Sequence, residues 1–123
     1  MPPRDALFLG HMLAAVTRLA ELVSKTDRQT FDQDWVVQDA VIRELEVLGE
    51  AAGRVSAGFA DAHPEIPWRE MTGIRHKLIH DYFVVDLGVV WTTATLNVPE
   101  AAPLIRTAAA TLSRSDEPTE GAF

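Results

Sequence analysis

The sequence predicts an all-α fold, an up-and-down bundle of four to five helices. Apolar residues recur at three- and four-residue steps through almost the whole chain. No strand-like alternation of any length appears, and the interruptions fall where Pro or Asp is suited to open a helix.

Phe8, Met12, Ala15, Val16, Leu19, Leu22 and Val23 set the first helix, over about residues 4–24. The polar stretch from Ser24 to Asp34 reads as a connection. Val37, Val41, Leu45, Leu48, Ala52, Val55 and Phe59 then mark a long second helix. Val36, Ala40, Val47 and Ala51 add another apolar stripe to it. A helix apolar on two sides is packed on two sides, as in the centre of a bundle or at a subunit contact. The run His63-Pro64-Glu65-Ile66-Pro67 breaks the pattern, with Pro67 placed as the first residue of a third helix bearing Trp68, Met71, Ile74, Leu78 and Tyr82. Asp86 is suited to cap a fourth helix, with Leu87, Val90, Trp91 and Ala94 inward and an end near Asn97. Pro99 opens a fifth, carrying Leu104, Ile105, Ala108 and Leu112.

The 123 residues make one domain over 1–113, followed by a polar tail, 114–123, expected to be flexible. Cysteine is absent, which excludes a disulfide framework, a Cys-ligated metal and a Cys nucleophile. No uninterrupted apolar run is long enough to span a bilayer, so no membrane association is expected. An early acid, Asp5, and the interruption at His11 make a poor signal peptide, and a reduced cytoplasmic protein is expected. The net charge of −7 argues against non-specific binding along duplex nucleic acid. Arg69, Arg75 and Lys77 outnumber the single acid Glu70 between residues 69 and 77, so a local anion site belongs there. The window from Asp32 to Glu50 holds six acids against Arg43 and is expected to repel phosphate.

His76 and His80 lie four apart on one helical face, but two ligands do not make a metal site and no Glu lies between them. Neither a metal nor a cofactor is expected, and His11 and His63 read as solvated. P-loop, dinucleotide-binding and serine-elbow patterns are missing. Gly49 and Gly73 fall mid-helix, where each costs about 1 kcal/mol relative to Ala; close approach of two helices is the plain reason for both. Asp39, Arg43, Glu46 and Glu50 form a charged stripe that reads as a solvated face with a Glu50–Arg54 pair. The competing reading turns Glu46 or Glu50 toward an arginine of the third helix. That arginine is Arg75, which ideal helical geometry points near Trp68, Ile79 and Tyr82, where a guanidinium has to be hydrogen-bonded or open to a cleft. His80 lies about 140° around an ideal helix from Arg75, so a straight helix does not bring the two together. They converge if Arg75 reaches around, if the helix ends near His80, or if a second subunit closes the cleft.

Arg75-His76-Lys77-Leu78-Ile79-His80-Asp81-Tyr82 matches Arg-x4-His-x-Tyr. Around it stand Ile66-Pro67-Trp68, Met71, Gly73, Tyr82-Phe83, Asp86-Leu87 and Val90-Trp91, with Leu48-Gly49-Glu50-Ala51-Ala52 on the preceding helix. In order and spacing these residues resemble the HepT-like branch of the HEPN superfamily, over about residues 7–112. The resemblance implies a small helical ribonuclease toxin that works without metal. It implies a homodimer whose motif lines the cleft between subunits, and a cognate minimal nucleotidyltransferase antitoxin that adenylylates the motif tyrosine. Carried over, Arg75 and His80 are catalytic and Tyr82 accepts AMP, with His76, Lys77, Glu46 and Glu50 as accessory candidates. The sequence departs from the family where Asn commonly follows the arginine and His76 stands here.

The implied chemistry is physically sound. RNA supplies its own nucleophile, the 2′-hydroxyl, so cleavage needs proton transfer and a cation for the crowded phosphorane. An imidazole, with an ordinary pKa of about 6.5, suits the first task, and an arginine fork suits the second. AMP on Tyr82 would set a bulky anion on the stripe of Arg75 and compete with RNA phosphate. Against the acceptor role stands the reading of Tyr82 and Phe83 as core aromatics at a helix end. Two other classes of function remain: a catalytically silent module that docks and regulates a nucleotidyltransferase, and a plain dimerisation domain in which Arg75 and His80 serve stability.

Overall fold

The longest helices build the centre of the molecule, and the shorter ones are laid against them. The computed structural model describes residues 4–78 and 84–115, with side chains as far as Leu112. Helix α1 (Asp5–Ser24) packs along α3 (Trp35–Arg54) and against α8 (Val98–Ser115). Leu9, Met12, Val16 and Leu19 of α1 meet a core that includes Val41, Leu45 and Leu48 of α3 and Ile105 and Ala108 of α8. Each large apolar side chain fully buried there stabilises the fold by about 1.5–3 kcal/mol. By length and composition α1 would also suffice to cross a bilayer, but here it lies in the bundle with one face buried. The described residues form an all-α bundle, as the periodicity requires.

Five boundaries differ from the sequence expectation. The connection after α1 contains a short helix, α2 (Arg28–Gln33). Asp27 caps it by accepting the Thr30 backbone N–H at 2.8 Å, and that bond, with a second from the Thr30 side chain, holds the Asp27 carboxyl below its ordinary range. Phe31 makes the short helix worthwhile: it is fully buried and packs on the Trp91 ring, with centroids 5.1 Å apart.

The long second helix stops at Arg54 rather than reaching Phe59. Val55 turns to an extended conformation (ψ 141°), and Ser56 caps a separate helix, α4 (Ala57–Ala62). The cause is a distant acid. Asp5, itself buried, accepts the Ser56 backbone N–H at 2.8 Å and its hydroxyl at 2.7 Å, while the Ser56 oxygen accepts the Phe59 N–H. After α4, His63 is half-buried rather than solvated: its ring stacks on Phe59 at 4.4 Å and its Nδ1 lies 3.4 Å from Glu65.

The third helix is two short ones, α5 (Trp68–Thr72) and α6 (Ile74–Leu78), and Pro67 caps α5 instead of opening it. Gly73 stands between them at φ −90°, ψ 5°. The fourth and fifth helices, in contrast, are continuous. Asp86 caps α7 (Leu87–Thr92), as its spacing indicates, by accepting the Val89 N–H at 3.1 Å. A π-helical turn, Thr93–Asn97, then joins α7 directly to α8, with Val98 N–H bonded to the Thr93 carbonyl. The widened turn accommodates Pro99, whose ring would collide with the Thr95 carbonyl in regular α-helix. Helix α8 continues to Ser115, two residues past the expected end of the domain; residues 116–123 lie outside the described residues.

Candidate active site

The first requirement of the site is that α5 and α6 lie close on α3, and Gly49 supplies it. A β-carbon at Gly49 would sit 2.8 Å from the Met71 carbonyl oxygen, far inside contact distance. The backbones of α3 and α5 therefore meet there, and only glycine fits. Gly53 lies one turn further along, where a β-carbon would touch the Thr72 methyl at 3.7 Å. Close approach was the expected reason for the mid-helix Gly49, and the geometry bears it out. Gly73 instead marks the break between α5 and α6.

Ile74 and Leu78 bury themselves beneath α6, while Arg75, His76 and Lys77 are exposed. Arg75 thus takes the second of its two options, lying open to a cleft rather than inside the apolar stripe. That cleft holds about 700 Å³. Arg75, His76 and Thr72 form one wall; Arg43, Glu46, Glu50 and Arg54 of α3 form the floor; Phe8 and His11 of α1 complete it. Its size is in the range that takes a small ligand or a few units of a polymer, and it is open to solvent.

Glu50 accepts from Arg54 Nε at 3.2 Å and Nη2 at 3.0 Å, the ordinary intrahelical pair. Among the described residues no ion pair joins Arg75 to Glu46 or Glu50, so the favoured reading of that stripe, an exposed face with a Glu50–Arg54 pair, is the one observed, not the competing one. The kink at Gly73 already carries the guanidinium out to solvent, which removes the need for a buried partner. Glu46, Glu50 and His76 do share the cleft with Arg75, while Lys77 is exposed outside its lining. His80 and Tyr82 lie outside the described residues. The ends of the stretch that carries them are tied, because the Asp86 N–H donates to the Leu78 carbonyl at 2.9 Å.

Sequence reasoning missed Arg43 and His11 as cleft residues. His11 looked merely solvated, and Arg43 sat in a window judged acidic. Folding turns three acids of that window away from the cleft and leaves Glu46 and Glu50 in it: Asp32 pairs with Arg28 at 2.9 Å, Asp34 caps α3 through the Val36 and Val37 N–H groups, and Glu44 is directed to Arg18 on the α1 side. Spacing of Arg43, Glu46, Glu50 and Arg54 at three, four and four residues was the available signal, since it puts all four on one face of α3. Among the described residues no three His, Asp or Glu side chains are grouped to hold a metal ion.

An exposed guanidinium, two imidazoles and further arginines around an open groove form a site suited to an anionic polymer and to proton transfer. On a small helical bundle, a groove of that chemistry defines a class of compact domains suited to handling a polyanion. Family comparison makes this specific: residues 12–108 match the family model described as "Ribonuclease HepT-like". The chain is 42% identical over 91 residues to "Probable ribonuclease HepT" of Thermococcus cleftensis, covering 71% of this chain and 83% of that protein. It is 37% identical over 93 residues to "Putative RNase TTE0752" of Caldanaerobacter subterraneus, covering 76% and 83%. A third relative, "Putative RNase MJ0125" of Methanocaldococcus jannaschii, is 39% identical over 101 residues, covering 81% and 87%. No solved structure gives a significant match. The chain belongs to the HepT-like ribonuclease family.

Proposed function

We propose that this protein is a metal-independent endoribonuclease toxin, acting in the cytoplasm as a homodimer and silenced when a cognate minimal nucleotidyltransferase antitoxin adenylylates Tyr82. The observation that carries this reading is the exposed Arg75 guanidinium, set in an open cleft of a chain from a ribonuclease family. In the proposed step a ribose 2′-hydroxyl attacks the adjacent phosphorus and its proton leaves to His80. The P–O5′ bond breaks, the departing 5′-oxygen takes up a proton from water, and a 2′,3′-cyclic phosphate remains. Arg75 neutralises the charge that accumulates on the phosphorane oxygens. AMP on Tyr82 supplies a phosphate in place of the substrate's and so competes for the same guanidinium.

The test is cleavage of a labelled RNA by purified protein in excess chelator, alongside the Arg75→Ala and His80→Ala variants. Cleavage that persists in chelator and is lost in both variants supports the reading. Loss on chelation overturns metal independence, and variants that cut like the parent overturn the catalytic assignments. Co-expression with the partner nucleotidyltransferase should add adenylyl mass to the intact protein and none to Tyr82→Phe.

A further inference from the structure

Among the described residues the cleft is a local inversion of charge. The chain carries −7, yet the cleft lining holds three arginines against two glutamates. Arg54 spends its charge on Glu50 at 3.0 Å. What remains to meet an incoming anion is Arg75 on α6 and Arg43 on α3, opposed by Glu46. Both arginines are exposed, and neither is in an ion pair among the described residues although acids outnumber bases in the sequence. Arg75 has its role in the proposed reaction at the scissile phosphate; Arg43 has none.

Position along α3 separates the two cations. Helix α6 comes down on α3 near Gly49, where a β-carbon would contact Ile74 at 3.7 Å. Arg43 lies six residues nearer the start of α3, about 9 Å along the axis at 1.5 Å per residue. Their points of attachment are therefore offset by about one backbone-phosphate spacing or more, so each is placed to hold a phosphate of its own. They are set apart along a groove whose floor is α3 and whose far side is closed by Phe8 and His11 of α1.

We infer that Arg43 is a second phosphate-binding residue, holding a backbone phosphate of single-stranded RNA adjacent to the one that Arg75 engages. The inference rests on the ribonuclease reading and adds the path of the substrate, which crosses α3 from Arg75 toward Arg43 and His11. Single-stranded RNA is the form that fits. The groove is sized for a few nucleotides rather than a duplex, and RNA nucleases that need the 2′-hydroxyl in line act on flexible strands. Arg43 is a positioning residue: it fixes the strand and takes no part in bond making. Its loss therefore falls on binding and leaves turnover intact.

The experiment measures binding of a short, fluorescein-labelled, fully 2′-O-methylated RNA by anisotropy, over a series of salt concentrations, together with steady-state cleavage of the matching unmodified RNA. In Arg43→Gln the expected results are a Kd raised about tenfold at low salt, a salt slope shallower by about 0.7, a raised KM and a kcat within about twofold of the parent. Arg43→Lys, which keeps the charge, should recover most of the slope. Arg106→Gln, an exposed change on α8 outside the cleft lining, should leave all four quantities as in the parent. A parent that binds and cuts RNA while Arg43→Gln keeps the parental Kd and slope overturns the subsite and spares the nuclease reading. A parent that binds the methylated strand with an Arg43-dependent slope but never cuts the unmodified one overturns the nuclease reading and spares the subsite. No binding by the parent overturns both.

Discussion

The α1–α3–α8 core and the α5–α6 segment are built on opposite plans. The core helices run 20, 20 and 18 residues and bury continuous apolar stripes. Helices α5 and α6 run five residues each, far below the length at which a helix holds itself together in water. Their order is borrowed through Gly49, where the α3 backbone meets the Met71 carbonyl, and through the buried Met71, Ile74 and Leu78. Yet the short segment carries three successive exposed basic or imidazole side chains, Arg75, His76 and Lys77. Stability and the candidate site are thus housed separately, joined at one close crossing.

Four measurements sharpen or break that separation. The largest effect belongs to the core: Leu45→Ala, at a fully buried position, should cost about 2–5 kcal/mol in chemical denaturation. A loss below about 1 kcal/mol would mean that the core is looser than its burial indicates. Arg75→Ala should lower kcat for RNA on the order of a hundredfold while leaving the melting temperature unchanged. A variant that melts early would show that Arg75 supports the fold after all. Gly49→Ala tests the crossing itself and should cost about 1–3 kcal/mol, because the new methyl drives α5 off α3. It should also slow cleavage by displacing Arg75, and an unchanged rate would uncouple the site from the crossing.

The smallest effect lies at the edge of the core and depends on pH. Backbone bonding from Thr30 depresses the Asp27 carboxyl, so its folded value lies below its unfolded one. Its contribution is therefore fully present above the unfolded value and fades as pH falls through the folded one, in the range below about pH 4. Asp27→Ala should be slightly less stable than the parent near neutrality, and urea melts of the two should converge in strong acid. A gap that widens on acidification would contradict the capping geometry.

Periodicity made the long helices legible, since the stripes of α1 and α3 are set by local spacing and by burial against one core. Cap chemistry was legible at Asp86 for the same local reason. The missed boundaries answer to partners far away in sequence: α3 ends where Asp5 captures Ser56, and α5 parts from α6 at Gly73 above a crossing formed by Gly49. Pro99 does stand at the start of α8, but a π-helical turn just before it joins that helix to α7 without the expected break. In the candidate site, the motif pointed to Arg75 by itself. Arg43 and His11 escaped notice because nothing local links them to it, and counting charges in a linear window assigned to Arg43 three acids, Asp32, Asp34 and Glu44, that folding turns elsewhere.

The bond between Asp5 and Ser56 also bears on synthesis. A ribosome delivers α1 long before Ser56 emerges, so the opening helix has neither its anchor nor its α8 partner while translation continues. During that interval an apolar helix of bilayer-spanning length stands uncovered, a ready client for holding chaperones and a hazard for self-association.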